Sequence, residues 1–273
     1  MSRSASPFFE ALQSTAELRA HLGLREGLVG GHTARSMMLN ELTALLSHTP
    51  PEATPAQIEQ AVIDANILDK PTLSSRKKSL HHLRELYGLD VSQALFRVLR
   101  DFAKRDGPSV PLLAVVCVYC RDPQLKQSFE LINGLRVGEV LPRETMEAHL
   151  EASFPRRFSP AMKKSMAQNV NTTWTRSGHL SGKARKIRCL PECRPEAAAF
   201  AMFAGYLSGL RGQHLLESAF GRVVAKDPSV LLTQLPLASA RGLIGFKFAG
   251  GIFEFDFRRL LTPEERRSCD VPA

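Results

Sequence analysis

Apolar residues recur at steps of three and four between residues 33 and 88, which places them on one face of successive helices. Three short helices are predicted. The first ends at Pro50-Pro51, the second begins after the N-cap Thr54, and the third begins after the N-cap Ser74. A turn at residues 66–71 separates the second from the third. The predicted inward-facing residues are Met37, Met38, Leu42, Leu45, Leu46, Ile58, Ala61, Val62, Leu80, Leu83 and Leu86.

Helical patterns also dominate the rest of the chain, over residues 91–150, 161–176, 197–210 and 215–224. The predicted fold is therefore mainly α, a multi-helix bundle with helix-turn-helix-like and winged-helix-like elements and a small C-terminal β-hairpin. We expect four units: a loosely ordered N-terminal segment 1–30, a helix-turn-helix-like domain 31–106, a helical domain 107–194 with a basic helix and a basic turn, and C-terminal helices plus the hairpin at 195–273.

The second and third helices have the layout of a helix-turn-helix, in which the N-terminal end of the second motif helix enters a DNA groove. Polar and basic residues stand at that end, while Leu80 and Leu83 would face the core. The candidate DNA contacts are Ser74, Ser75, Arg76, Lys77 and Lys78. An ordinary helical hairpin with a solvated basic end has the same pattern.

Charge is concentrated in one window of this chain. The protein has 36 Lys+Arg and 27 Asp+Glu, a formal net charge of +9. Residues 155–194 hold ten of the basic residues and one acid, Glu192, so the remainder balances at 26 basic against 26 acidic. Charge localised in this way indicates a polyanionic partner.

Within that window, the pattern predicts a helix followed by a short basic hairpin, an arrangement that resembles a winged helix. Ser159 caps the helix, Met162, Met166, Val170 and Trp174 would point inward, and Gly178 ends it. The candidate DNA contacts are Lys163, Lys164 and Arg176 on the helix and Lys183, Arg185, Lys186 and Arg188 in the hairpin. The alternative is a basic loop on a helical domain that binds nothing specific.

A second hairpin is predicted near the C-terminus, where residues 243–257 alternate around Gly250-Gly251. Five of the 15 Phe residues fall there. The Phe residues of its second strand are expected to cover the core; exposed, they would form a partner site.

Other functional classes find little support in the sequence. No apolar run approaches the ~20 residues of a membrane span, and no signal-peptide pattern is present, so we expect a cytoplasmic protein without membrane contact. We find no catalytic motif, and we expect a non-enzyme without cofactor or metal. Cys117, Cys120, Cys189 and Cys193 could form a zinc site, but buried free thiols are the favoured interpretation. His81 and His82 are expected to point to different faces of their helix, which is a poor geometry for a metal site.

The stretch 34–84 carries a family resemblance. Ile58-x-x-Ala61-Val62, then Asn66-Ile-Leu-Asp-Lys70 and Ser74-Ser-Arg-Lys-Lys78 resemble the opening of the BrxA family of BREX bacteriophage-exclusion systems, and the likeness extends over residues 33–190. The resemblance implies a mainly helical, cytoplasmic, DNA-binding accessory protein that works beside a methyltransferase, an ATPase and a phosphatase-like partner. It places the helix-turn-helix contacts on Ser74–Lys78.

Three functions remain open on this basis. The first is a non-enzymatic double-stranded DNA binder that acts mainly through phosphate contacts, together with other phage-defence proteins. The second is an RNA-binding or antitermination-type helical protein, although no RNA-recognition motif or KH loop is present. The third is an adaptor whose basic face docks an acidic protein.

Overall fold

The computed structural model describes residues 16–28 and 30–269, and the prediction of a mainly α bundle with a small C-terminal hairpin is confirmed. The helices are α1 (residues 16–21), α2 (Leu39–His48), α3 (Pro55–Ile63), α4 (Leu73–Tyr87), α5 (Ala94–Arg105), α6 (Val110–Tyr119), α7 (Pro123–Gly134), α8 (Arg143–Ser153), α9 (Pro160–Arg176), α10 (Pro195–Leu207), α11 (Gln213–Glu217), α12 (Ala219–Val224), α13 (Pro228–Ala240) and α14 (Pro263–Cys269). The strands are β1 (Val140–Leu141), β2 (Leu180–Ser181), β3 (Lys186–Arg188), β4 (Gly245–Ala249) and β5 (Ile252–Asp256).

Side-chain caps fix the starts of several helices, among them the caps that the sequence predicts at Thr54 and Ser159. The Thr54 hydroxyl accepts from the Gln57 backbone N–H, and the Gln57 side chain accepts from the Thr54 N–H at 2.8 Å, a reciprocal capping box. Asp122 caps α7 by accepting from the Leu125 N–H at 2.9 Å, and Ser159 caps α9. Each cap satisfies a backbone donor that the first turn leaves without a partner.

The predicted cap at Ser74 is wrong. Thr72 caps α4, because its hydroxyl accepts from the Ser75 N–H at 3.1 Å and the Ser75 hydroxyl lies 3.2 Å from the Thr72 nitrogen. The helix therefore begins at Leu73, and Ser74 lies inside its first turn.

Helix α10 lies at the centre of the core. Its small residues allow close approach on all sides, and it contacts α5, α6, α12 and α13. The buried cluster runs from Leu22 to Leu261 and crosses the boundaries predicted at 106/107 and 194/195. Asp106 and Arg194 are the last residues of two of the predicted units, and they form an ion pair in which Arg194 Nε lies 2.6 Å from Asp106 Oδ2. Within the described residues, no helix is both long enough and apolar enough to cross a bilayer.

The N-terminal segment is anchored where it is described. Leu22 and Leu24 are buried, the Leu95 N–H donates to the Leu22 carbonyl at 3.1 Å, and the Arg25 N–H donates to the Cys120 carbonyl at 3.2 Å. Residues 22–25 are thus held against the core, within the segment 1–30 that was expected to be loosely ordered. Residues 1–15 of that expectation lie outside the described residues.

Helices α13 and α14 and strand β1 were not predicted from the pattern. Helix α13 begins after the N-cap Asp227 and contains Pro236, and it covers α10 and contacts β4. Strand β1 has only two residues, and it pairs with β3 to complete a three-stranded sheet of order β1-β3-β2.

The C-terminal hairpin pairs β4 with β5 around Gly250-Gly251, both with positive φ, as an I′-type turn demands. Phe246 faces Phe255 and Phe248 faces Phe253, so one face of the hairpin is aromatic. Phe257 is buried, but Phe248 is 55% exposed at the tip. The aromatic face is therefore partly core and partly open to solvent.

Candidate nucleic-acid interface

The basic window belongs to a unit that runs from α7 through β1, α8, α9, β2 and β3. Leu180 pairs with Arg188 and Val140 pairs with Ile187, so the short hairpin joins a third strand from outside the window. Helix α9 contacts both α8 and β2. The predicted helix and basic hairpin are both present and lie against each other.

The inner face of α9 holds the helix in place. Met166, Val170 and Trp174 are fully buried, and the Trp174 indole donates to the Ser128 hydroxyl on α7 at 2.8 Å. Met162 was predicted to point inward as well, but it is 43% exposed. The reason is that the first turn of α9 extends beyond the core, with its residues 160–162, 164 and 165 all exposed.

The outer face of α9 is an exposed polar stripe. Apart from the adjacent Lys164 and Ser165, its members are spaced three or four residues apart, so they follow one side of the helix. They are Lys164, Ser165, Gln168, Thr172 and Arg176, which we call the α9 stripe. Ser165 and Gln168 were not singled out from the sequence, although their spacing from Lys164 and Arg176 is the signal that finds them. Among the described residues, neither Lys164 nor Arg176 is in an ion pair.

The hairpin turn at residues 182–185 presents two further cations. Lys183 and Arg185 are exposed, and within residues 16–28 and 30–269 neither forms an ion pair. Gly182 has φ +86°, and a Cβ there would overlap the Arg185 carbonyl oxygen, so the turn requires glycine. The Lys186 ammonium donates to the Gly182 carbonyl at 2.8 Å and so braces the turn.

Arg188 is predicted to contact DNA, and this prediction is wrong because the side chain is buried. The side chain is 2% exposed, and its guanidinium donates to the carbonyls of His179, at 3.0 Å, and of Cys189. Burial lowers the pKa of this guanidinium. Arg188 therefore holds the base of the hairpin, out of reach of any phosphate.

Lys163 is also partly engaged. Its ammonium lies 2.6 Å from Glu151 Oε2 on α8, and this hydrogen bond lowers the pKa of Glu151. Of the predicted contacts in the window, Lys164, Arg176, Lys183 and Arg185 remain fully available.

A buried histidine attaches the unit to the C-terminal helices. His179 Nε2 donates to the Val223 carbonyl on α12 at 2.7 Å, and Nδ1 lies 2.9 Å from the Ser177 hydroxyl. Burial lowers the pKa of His179 to about 3, so the ring is neutral and donates through Nε2 only. Trp174 packs edge-on against it at 4.8 Å between ring centroids.

The second candidate site, at the start of α4, is built differently. Arg76 donates to the Ile63 carbonyl at 2.9 Å and to the Lys70 carbonyl at 3.3 Å, so it braces the connection from α3. Ser75 is part of the helix cap. Ser74, Lys77 and Lys78 are exposed. The α3–α4 connection spans nine residues, which is longer than the three- to four-residue turn of a helix-turn-helix.

The segment of residues 30–38 lies between the two candidate sites. On one side, Asn169 of α9 donates to the His32 carbonyl at 3.0 Å. On the other, Arg35 and Ser36 line a polar cavity of about 520 Å³ together with Ser74, Ser75 and Lys78 of α4. The exposed Arg35 was not found from the sequence, because no local pattern relates it to either helix.

This segment is fastened by a buried polar network. His32 Nδ1 lies 3.0 Å from Asp122 Oδ2, and His32 Nε2 lies 2.7 Å from Thr173 Oγ1. Burial acts to raise the pKa of Asp122, but His32 and backbone donors outweigh it and lower the pKa. An Asp–His–Thr series has the composition of a nucleophilic triad. Here His32 and Thr173 have no solvent exposure, so the network serves structure.

The expectation that His81 and His82 point apart is wrong. Nitrogens of both rings and a carboxylate oxygen of Glu85 lie within 4.8 Å of one another, an arrangement that could hold a divalent metal ion. Arg25 Nη1 lies 3.5 Å from Glu85 Oε1 and competes for that carboxylate.

The cysteines are poor candidates for metal ligands, because a metal binds the thiolate form. Burial raises the pKa of Cys117 and of Cys193 to about 12, which keeps both thiols protonated.

Comparison with known proteins gives no assignment, because no protein-family model and no curated protein matches this chain.

Proposed function

We propose that this protein is a non-enzymatic, cytoplasmic accessory protein of a bacterial BREX-type phage-defence system, and that it binds double-stranded DNA mainly through phosphate contacts. The observation that carries the proposal is the α9 stripe together with Lys183 and Arg185 on the adjoining turn, which are exposed and form no ion pair within the part of the chain that the structure describes. The element order helix, strand, helix, helix, strand, turn, strand, with its β1-β3-β2 sheet, supports a winged-helix interpretation of residues 123–188.

In this proposal α9 enters the major groove and the turn crosses the flanking backbone. Lys164 and Arg176 neutralise phosphates near the two ends of the helix, and Lys183 and Arg185 neutralise phosphates beside the groove. Gln168 and Ser165 are the groups that reach base edges, since their side chains can donate and accept hydrogen bonds. The start of α4, with Lys77 and Lys78, adds a weaker contact.

The test is a fluorescence-anisotropy titration of the full chain with a labelled duplex at several salt concentrations. Changing Lys183 and Arg185 to Ala should weaken binding by about tenfold and reduce the magnitude of the salt slope by about 2. The control changes Lys247 and Arg267 to Ala, which removes the same charge from exposed positions outside the unit. Absence of duplex binding at low salt, or equal losses in both variants, would overturn the proposal.

Competition with structured RNA and with an acidic protein fraction separates the other functions. Duplex DNA should displace RNA in this assay. Preferential binding of RNA would instead make the protein an RNA-binding protein. The methyltransferase and ATPase partners that the BrxA resemblance implies belong to the same proposal. The exposed Phe248 and Ile252 at the hairpin tip support a protein contact there.

A further inference from the structure

A second cavity lies on another part of the molecule, between α2, α5 and the connection from α5 to α6. Its volume of about 570 Å³ falls within the range of small-molecule sites. Most of its walls are apolar: Leu39, Leu46, Pro51, Ala103, Val110 and Pro111. No basic residue predicted to bind DNA lines it.

One charged residue in this lining is buried. Arg100 is 4% exposed, and its Nη2 donates to the Thr49 carbonyl and hydroxyl, both at 3.0 Å, and to the Pro50 carbonyl. The Phe96 ring lies 5.6 Å from its guanidinium carbon. These contacts satisfy one nitrogen of the group.

The other terminal nitrogen of Arg100 is not satisfied. Nη1 is buried and has no hydrogen-bond partner, and across the described residues Arg100 is in no ion pair. Burial lowers the pKa of the guanidinium, against a smaller opposing effect of Glu52. A buried cation without an anion is costly, and a carboxylate oxygen is an anionic acceptor for the Nη1 hydrogens that the protein leaves without a partner.

We propose that this cavity binds a small monocarboxylate with an apolar body, whose carboxylate pairs with Arg100 while the body contacts the apolar walls. Charge complementarity selects this occupant, since a neutral apolar molecule would leave Arg100 unpaired and an amine would repel it. Lys104, exposed at the same lining, adds a second positive charge that favours an acid. The proposal is independent of DNA binding and of the α9 stripe.

The first experiment is isothermal titration of the full chain with octanoate, octanol and octylamine, and with phenylacetate as an aromatic acid. Octanoate or phenylacetate should bind at least about tenfold more tightly than octanol, and octylamine should not bind. Tighter binding of octanoate would indicate a ligand with an aliphatic body, and tighter binding of phenylacetate would indicate an aromatic body. Binding of octanol as tight as that of octanoate, or binding of neither acid, overturns the proposal.

The second experiment locates the site. Because Arg100 also braces Thr49 and Pro50, its removal could unfold the chain, so Ala103→Phe is used to fill the cavity instead. The matched control is Ala152→Phe, an exposed position on α8. Ala103→Phe should reduce acid binding by about tenfold or more while the control retains it. Thr43→Phe, at an exposed position of the lining, repeats the test if Ala103→Phe does not fold. Unchanged binding in a folded cavity variant contradicts the assignment.

Discussion

The basic residues of the α9–hairpin unit and those at the start of α4 differ in what their charges already contact. On the hairpin turn, Lys183 and Arg185 are exposed and make no ion pair within the described residues. At the start of α4, Lys77 and Lys78 are exposed, but Arg76 donates to two backbone carbonyls and Ser75 is the partner of Thr72 in the helix cap. Equal runs of basic residues therefore do not imply equal capacity for a phosphate, because a cation that satisfies carbonyls cannot leave them without cost.

The strongest test of this distinction lies inside the basic window. Arg188→Ala should lower the free energy of unfolding by roughly 3 kcal/mol, because it leaves a cavity and removes the side-chain donor from the carbonyls of His179 and Cys189. The exposed neighbour Arg185→Ala should change it by less than about 0.5 kcal/mol. Urea unfolding followed by the fluorescence of Trp174 measures both. Equal stability of the two variants would show that Arg188 is not the structural member of the pair.

Acidification tests the anchor beneath the hairpin. The unfolded chain protonates His179 near its ordinary pKa of 6.5, whereas the folded chain keeps it neutral down to about pH 3. The unfolded state therefore binds more protons below pH 6.5, and stability falls as the pH falls through this range. Between pH 7 and pH 5 the loss should be about 2 kcal/mol.

His179→Gln should remove most of this pH dependence, while His214→Gln, at an exposed position, should retain it. Urea titrations of the three proteins across this pH range provide the comparison. A slope that survives in His179→Gln would assign the effect to other groups.

The start of α4 offers a test of smaller size. Thr72→Ala should destabilise the protein by about 1 kcal/mol, because the first turn of α4 loses its cap. Ser74→Ala should have almost no effect, since the structure assigns Ser74 no capping bond. Thermal unfolding of both variants distinguishes them, and a larger loss in Ser74→Ala would restore the cap predicted from the sequence.

The weakest effect is expected for the cations of α4 in DNA binding. Changing Lys77 and Lys78 to Ala should reduce duplex affinity by no more than about threefold, against about tenfold for the Lys183 and Arg185 pair. Anisotropy titrations at one salt concentration suffice. The reverse order of the two effects would make α4 the principal DNA contact.

Helix caps and the hairpin turn could be predicted from the sequence, because they depend on neighbouring residues. Elements without a clear local pattern could not. The caps at Thr54 and Ser159 follow from residue type next to an apolar periodicity, and the Gly250-Gly251 hairpin follows from alternation. Helix α13 was not predicted, because it is apolar on several sides and contains Pro236, so no helical period is visible in its sequence. Strand β1 has too few residues to show any period.

For the candidate site, the sequence predicts the helix and the basic hairpin but not which of their cations are buried. The charge count located the helix and the hairpin, but it could not separate Arg188 from Lys183. Arg188 is buried by contacts with His179 and Cys189 that depend on the strand register. Arg35 stands beside the α4 cavity only through the tertiary path of residues 30–38.

Amide hydrogen exchange of the full chain, with and without a duplex oligonucleotide, identifies the segments that contact DNA. We expect slower exchange on DNA binding in α9 and in the turn at residues 182–185, with little change in the first turn of α4. Protection confined to α4, or protection in neither segment while the duplex is bound, would contradict this expectation.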